Sequence, residues 1–221
     1  MATQTTKQDS SSAPPFTVHP SLAAYQVPYK TYLSTVPNNA FTPTLTPRYI
    51  AVGALTFDTH DRILLIQRAS TDSMPNLWEI PGGACDEEDE SILHSVAREL
   101  EEESGLVATS IGPLVNDGYV FVTSTGNVVC KYSFLVEIAE TTNDTRADSG
   151  KQEFVDVRLD PSEHQNYVWA TEDEVRLERV SDMDVRLTKA EQKQIILDAF
   201  QMRQKLKNNL MVEADGGTVT G

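Results

Sequence analysis

The residues best suited to chemistry are the glutamates of one short segment, residues 99–103. On a helix at about 100° per residue, Glu99, Glu102 and Glu103 share one arc that overlaps the edge of the apolar face, whereas Glu101 points elsewhere. Two like charges about 4 Å apart repel each other by ~4 kcal/mol at an effective dielectric of about 20. The three carboxylates therefore need neutralisation, and clustered carboxylate oxygens suit Mg²⁺ or Mn²⁺. The spacing predicts a divalent-metal site.

The composition narrows the classes of function. The formal net charge is −15, and no cluster of lysine and arginine reverses it locally, so we expect no nucleic acid polymer as a partner. No apolar run approaches the roughly 18 residues of a membrane span, so we expect no membrane partner either. The two cysteines, Cys85 and Cys130, make no disulfide framework, which favours a cytoplasmic location.

Strands and helices alternate irregularly around the acidic segment. Helical periodicity runs from Ser91 to Ser104, and Gly105 follows where a left-handed cap is expected. Lys131 and Ser133 alternate with apolar neighbours, a pattern typical of a half-buried strand. Strands are predicted over residues 49–57, 63–67, 77–80, 118–124, 127–138, 154–159 and 167–170, and capping boxes at Thr171 and Thr188 open two late helices. Because a hairpin occurs and no regular βαβ repeat does, the pattern predicts an α/β sandwich around a mixed sheet.

The acidic segment carries a family resemblance. Residues 98–106, Arg-Glu-Leu-Glu-Glu-Glu-Ser-Gly-Leu, resemble the second half of the Nudix box, whose consensus reads G-x5-E-x7-R-E-U-x-E-E-x-G-U with U a bulky aliphatic residue. Glu90 lies eight residues before Arg98, as that consensus requires. Six residues separate Gly83 from Glu90 instead of five, which we interpret as a one-residue insertion in the loop before the helix. The resemblance to the MutT-like Nudix hydrolases covers about residues 49–175.

The resemblance implies a Nudix-type α/β/α sandwich and a Nudix hydrolase. Such an enzyme hydrolyses a phosphoanhydride bond in a nucleoside diphosphate-linked or other organic diphosphate. Mg²⁺ or Mn²⁺ is the implied cofactor, and Glu99, Glu102 and Glu103 match the metal-ligand positions of the family. A backbone carbonyl at Gly82 or Gly83 would add another ligand. The metal would activate a water molecule for attack on phosphorus.

Further roles follow position by position. Glu90 and Arg98 match the pair that holds the loop against the helix in this family. Glu163 is the candidate general base because it lies in a loop between two late strands, the alternative being an ordinary surface residue. Arg68 either contacts substrate phosphate or forms a structural ion pair. Trp78 either stacks on a base or packs in the core.

The chain divides into three expected parts. They are a partly disordered N-terminal arm (residues 1–45), a Nudix hydrolase domain with a C-terminal helix (residues 46–209), and a disordered tail (residues 210–221). The expected partner is a small-molecule diphosphate, and a homodimer stays open. The alternative function is that of a catalytically silent Nudix-fold protein with a nucleotide-binding or regulatory role. The complete set of three glutamates counts against this alternative, because a pure binding module does not need them all.

Overall fold

A computed structural model describes residues 15–36, 45–139 and 155–215. In chain order, the strands are β1 (Thr17–Val18), β2 (Tyr49–Thr56), β3 (Ile63–Arg68), β4 (Trp78–Glu79), β5 (Ala108–Leu114), β6 (Tyr119–Val122), β7 (Val128–Ile138), β8 (His164–Ala170), β9 (Arg179–Val180) and β10 (Met183–Asp184). The helices are α1 (Tyr29–Thr35), α2 (Ile92–Ser104), α3 (Glu172–Leu177) and α4 (Ala190–Asp215), with a 3-10 helix at Pro20–Tyr25. Strands and helices are therefore mixed along the chain, as the sequence predicts.

The first sheet has the strand order β1-β5-β7-β2, and β6 also pairs with β7. The β1–β5 and β2–β7 pairs are parallel, whereas β5 and β6 run antiparallel to β7. The predicted hairpin is confirmed, since Val122 pairs with Val128 across the turn between β6 and β7. This arrangement confirms the predicted α/β class with a mixed sheet.

The second sheet brings three polar side chains together. Its strand order is β4-β3-β8, and all of its pairs are antiparallel. The register pairs Ile66 with Glu79 and, after a bulge, Arg68 with His164. Because directly paired residues point to the same face of a sheet, Arg68, Glu79 and His164 become neighbours.

Helix α2 forms where local signals and the apolar period agree. The Ser91 side chain caps it by accepting a hydrogen bond from the His94 N–H, and Gly105 ends it in the left-handed region at φ 69°. Its apolar side packs into a core cluster shared with the N-terminal arm and one face of the first sheet. The helix is held rigidly, so its glutamates have a defined position.

A second core cluster joins the remaining elements. It contains side chains from β2, β3, β4, α3 and α4, among them Leu55 and Trp78. Strand β2 contributes to both clusters because successive side chains of a strand point to opposite faces. The N-terminal arm forms short helical turns and buries Leu22, Tyr29 and Tyr32.

Several expectations need correction. Strand β5 is absent from the sequence-based prediction, residues 155–159 form no strand, and β8 begins at His164 instead of Tyr167. Helix α4 continues to Asp215, so the chain is helical beyond residue 209, where disorder was expected. Residues 1–14 and 216–221, also expected to be disordered, lie outside the described residues. Among the described residues, no helix is both long enough and apolar enough to cross a bilayer.

Candidate active site

The loop before α2 runs along the free edge of β2. Val52 N–H donates to the Gly83 carbonyl at 2.8 Å, and Cys85 N–H donates to the Ile50 carbonyl at 2.9 Å. Just before Gly83, the backbone of Gly82 has φ 147°, and a Cβ there would lie 2.2 Å from the Val52 carbonyl oxygen. Only glycine fits this approach. The loop is therefore fixed against the sheet, close to the glutamates of α2.

Glu103 joins the helix to this loop. Its buried carboxylate accepts a hydrogen bond from the Gly82 N–H at 2.5 Å. Burial raises the pKa of Glu103 well above its usual range, the Gly82 hydrogen bond opposes the rise, and the nearby charges of Glu79 and Glu99 add to it. The ionised carboxylate is therefore costly unless a cation compensates it.

Glu99 and Glu102 share Arg98 as a hydrogen-bond donor. The Glu99 carboxylate rests on Gly83, where a Cβ would approach it to 2.6 Å. Burial raises the pKa of Glu99, and Arg98 only partly offsets this. Glu102 is 60% exposed, and Arg98 donates to both carboxylates at 2.9 Å. Of these three predicted metal ligands, Glu103 is buried, Glu99 half-buried and Glu102 exposed. Within the described residues, only Glu103 of the three has a ligand atom in a compact group of possible metal ligands.

The predicted partner of Arg98 is wrong by one residue. Arg98 donates to both carboxylate oxygens of Asp89, at 3.0 and 2.9 Å, and also to the Ala84 carbonyl at 3.0 Å. Glu90 instead is solvent-exposed, 3.6 Å from His94. Asp89 follows Gly83 at the five-residue spacing of the Nudix consensus, so the extra residue lies between Asp89 and the helix. The loop–helix pair is therefore Asp89–Arg98.

A second group of ligand atoms comes from the start of β8. One ligand atom each from Glu103, Glu163 and His164 lies within 4.8 Å of the others. Glu163 is exposed, whereas His164 is buried, with its Nε2 3.3 Å from Glu79 and 3.8 Å from Glu103. The sequence reasoning selected Glu163 but missed His164, whose only signal is its place next to that glutamate.

Arg68 and Trp78 have structural surroundings. Arg68 forms ion pairs with Asp72, at 2.5 Å, and with Glu79. Burial alone would raise the pKa of Glu79, but the hydrogen bond with His164 and the charges of Lys131 and Arg68 outweigh it and lower the pKa. Trp78 is fully buried in the second core cluster, so the predicted stacking on a base is wrong. Arg68, for which the sequence left open a phosphate contact or a structural ion pair, forms the ion pair.

The donor atoms fit a hard divalent cation. The carboxylates of Glu99, Glu103 and Glu163 are oxygen donors that Mg²⁺ and Mn²⁺ prefer. Ionisation of Glu99 and Glu103 is unfavourable, and a bound cation would make it favourable.

Cys85 does not support a thiol mechanism. Burial raises the pKa of its thiol to about 12, which leaves no thiolate at neutral pH.

Comparison with known proteins agrees with this geometry. The family model of the NUDIX domain matches residues 47–190, more than half of the chain. The structure is similar to the MutT protein from Methanosarcina mazei Go1, with 25% identity over 72% of this chain and 96% of that one and a TM-score of 0.51. It shares its fold with the NUDIX hydrolase from Nitrosomonas europaea, with 20% identity over 71% of this chain and 90% of that one and a TM-score of 0.50. Among curated protein sequences, none matches.

The matched range contains the features that form the site. The glycine loop, helix α2 and the start of β8 all lie within residues 47–190. Two of the glutamates that carry the resemblance contact the glycine loop, Glu103 at Gly82 and Glu99 at Gly83. The chain therefore belongs to the Nudix family and is a Nudix hydrolase.

Proposed function

We propose that the protein is a divalent-metal-dependent hydrolase of a phosphoanhydride bond in a small organic diphosphate. The convergence of Glu99, Glu103 and Glu163 beside the glycine loop supports this most directly. Burial and the charges of neighbouring carboxylates raise the pKa of Glu99 and of Glu103 and so disfavour their ionisation. A doubly charged cation removes that penalty and gives an acidic protein a means to bind an anionic substrate.

The chain offers five groups to Mg²⁺ or Mn²⁺. Among the described residues, no backbone N–H donates to the Gly82 carbonyl, whereas the Gly83 carbonyl is already bonded to β2. Gly82 is therefore the better carbonyl ligand of the two. Four of them are the proposed ligands, the Gly82 carbonyl and the carboxylates of Glu99, Glu102 and Glu103, and the fifth, the Glu163 carboxylate, stays free of the ion. When bound, such a cation lowers the pKa of a coordinated water and neutralises charge on the phosphoryl group.

The chain's own residues supply the rest of the chemistry. Glu163 is exposed at the edge of the cluster, so we assign it the role of general base that takes the proton from the attacking water. Arg98 orients Glu99 and Glu102 by donating to both. The Gly82–Glu103 hydrogen bond keeps the loop at a constant distance from the helix. Positioning of this kind matters because displacements near 1 Å lower rates about a hundredfold.

A substrate panel tests the proposal. Purified protein is incubated with Mg²⁺ and with diphosphates of several kinds, including dinucleoside polyphosphates, nucleotide sugars and nucleoside triphosphates, and the products are identified. Glu102→Gln should lower kcat by about a hundredfold or more on the best substrate, with folding unchanged because Glu102 is exposed. Glu101→Gln is the matched control, since that glutamate is exposed and lies outside the cluster.

Two outcomes contradict the proposal. The first is equal turnover by Glu102→Gln and the parent. The second is unchanged turnover after EDTA removes divalent ions. Binding of a diphosphate by the parent without any turnover favours the alternative of a catalytically silent nucleotide-binding or regulatory protein.

We further propose that the partner is a small molecule and that the protein acts in the cytoplasm. The net charge of −15 disfavours binding to the phosphate backbone of a nucleic acid polymer. Cys85 and Cys130 are both free, which is compatible with a reducing compartment. Fractionation of cells that express the chain with a fluorescent tag tests the location.

A further inference from the structure

A buried lysine without an ion-pair partner lies beside the acidic cluster. Lys131, in β7, is 7% exposed. Within residues 15–36, 45–139 and 155–215, no carboxylate oxygen lies within 4.0 Å of its ammonium. Lysine is almost never this buried unless its charge is compensated, and the carboxylates of Glu79 and Glu103 attract this ammonium only from beyond 4.0 Å. The side chain therefore indicates an anionic group that binds next to it.

Lys131 reaches the acidic cluster across Gly53. A Cβ at Gly53 would lie 3.2 Å from Lys131 Cε, so this glycine leaves the space that the lysine side chain occupies. Gly82 packs against the same residue, since its own Cβ would lie 2.7 Å from Gly53 Cα. Gly82 in turn donates to Glu103, whose carboxylate is attracted electrostatically by Lys131. The ammonium is thus adjacent to the proposed metal site without being neutralised there.

Two aromatic rings flank the lysine on the same face of the sheet. Tyr119, in β6, pairs directly with Lys131, so both side chains point to one side. Phe121 lies two residues further along β6, and its ring centroid is 5.7 Å from that of Tyr119. Lys189 Nζ lies 4.7 Å from the Phe121 centroid and adds a second positive charge. Both rings are half-buried, so part of each remains accessible.

We propose that Lys131 is a substrate-binding residue, whose ammonium binds a phosphate oxygen of the diphosphate while Tyr119 and Phe121 hold the aromatic base joined to that phosphate. The inference rests on the proposed function, which locates the phosphates at the acidic cluster. The proposal adds the Lys131 ammonium, a positive charge of the protein itself, to the charge of the proposed metal ion. It also assigns the base to β6, after Trp78 has been excluded by its burial.

Equilibrium binding tests this without any turnover. The probes are the four common nucleoside monophosphates, each compared by calorimetry with ribose 5-phosphate in the presence of Mg²⁺. The parent should bind at least one nucleotide about tenfold more tightly than ribose 5-phosphate, because a base stacks on an aromatic ring. Lys131→Met should weaken both kinds of probe by about tenfold to a hundredfold, because one hydrogen bond from a charged donor is lost. Tyr119→Leu should remove only the preference for the nucleotide.

The controls separate binding from folding and from the proposed function. Lys205→Met removes the same charge from an exposed position of α4 that is not part of the proposed site, and should leave all affinities unchanged. If Lys131→Met fails to fold, Lys131→Gln is titrated in its place, with the same expected loss. Equal affinities of the Lys131 variant and the parent overturn the proposal, and so does equal binding of ribose 5-phosphate and every nucleotide. A parent that hydrolyses no diphosphate contradicts the proposed function but leaves these titrations valid.

Discussion

Replacing Asp89 by asparagine tests which residue anchors the loop to helix α2. Both of its carboxylate oxygens accept hydrogen bonds from Arg98, at 3.0 and 2.9 Å. The Ser95 hydroxyl and the Asp86 N–H also donate to it, at 2.7 and 2.8 Å. The Asp89 side chain is only 9% exposed. Removing one partner of a buried ion pair costs about 3–5 kcal/mol, and Arg98 is partly solvated, so we expect Asp89→Asn to cost about 2–4 kcal/mol.

Glu90→Gln is the matched control for this substitution. Glu90 is 69% exposed, and its contact with His94 is 3.6 Å long. Exposed substitutions of this kind change stability by about ±0.5 kcal/mol at most. The assay is urea denaturation followed by tryptophan fluorescence, which yields the free energy of unfolding of both variants and of the parent. A larger loss for Glu90→Gln than for Asp89→Asn would refute the assignment of the anchor.

The same pair sets a pH dependence. Burial alone would raise the pKa of Asp89, but hydrogen bonds from Arg98 and Ser95 outweigh it, so the pKa in the folded protein is lowered. A carboxyl group with a lowered pKa contributes stability that is present above its unfolded pKa of about 3.9 and is lost as the pH falls through the folded value. The difference in unfolding free energy between parent and Asp89→Asn should therefore be constant near neutral pH and shrink below about pH 4.

Three further substitutions test other parts of the structure. Gly82→Ala should lower the unfolding free energy by at least about 2 kcal/mol and abolish turnover, because its Cβ would meet the Val52 carbonyl; a parent-like urea midpoint contradicts this. Glu103→Gln should be inactive, yet its unfolding free energy at pH 8 should exceed that of the metal-free parent. The reason is that the raised pKa of Glu103 in the folded protein makes its ionisation unfavourable to folding. The gain in unfolding free energy should fade towards pH 4, and an equal gain at both pH values speaks against this reasoning. Trp78→Phe should cost about 1–3 kcal/mol in denaturation while KM changes less than about twofold, and a large rise in KM would restore Trp78 as a substrate contact.

The parts of the structure that depend on neighbouring residues were predictable from the sequence. Helix α2 follows from its apolar period, and Ser91 and Gly105 mark its two ends as predicted. The acidic arc on that helix follows from the same period. Strand β5 was missed because the polar residues Thr109 and Ser110 are adjacent and Gly112 and Pro113 follow, a composition typical of loops.

The parts that depend on tertiary contact were not predictable. The spacing of the loop does not decide whether Asp89 or its neighbour Glu90 is the partner of Arg98. Only the contact between Arg98 and Asp89 in the structure decides this. Lys131 and Ser133 alternate with apolar residues, which predicts a half-buried strand, yet both are buried where their side chains lie over Gly53. His164 gains its contacts with Glu79 and Glu103 only when β8 pairs with β3. Long-range pairing decides these positions, and no local pattern reports it.

The most direct test of the account is a crystal soaked in Mn²⁺ together with a non-hydrolysable diphosphate analogue, with anomalous diffraction recorded at the manganese edge. The account predicts an anomalous peak with Glu99, Glu102 and Glu103 among its ligands, and phosphate oxygens of the analogue on the same ion. An analogue that binds elsewhere, or binds here with no ion at these carboxylates, would contradict it. The same crystal locates Lys131 relative to the phosphates.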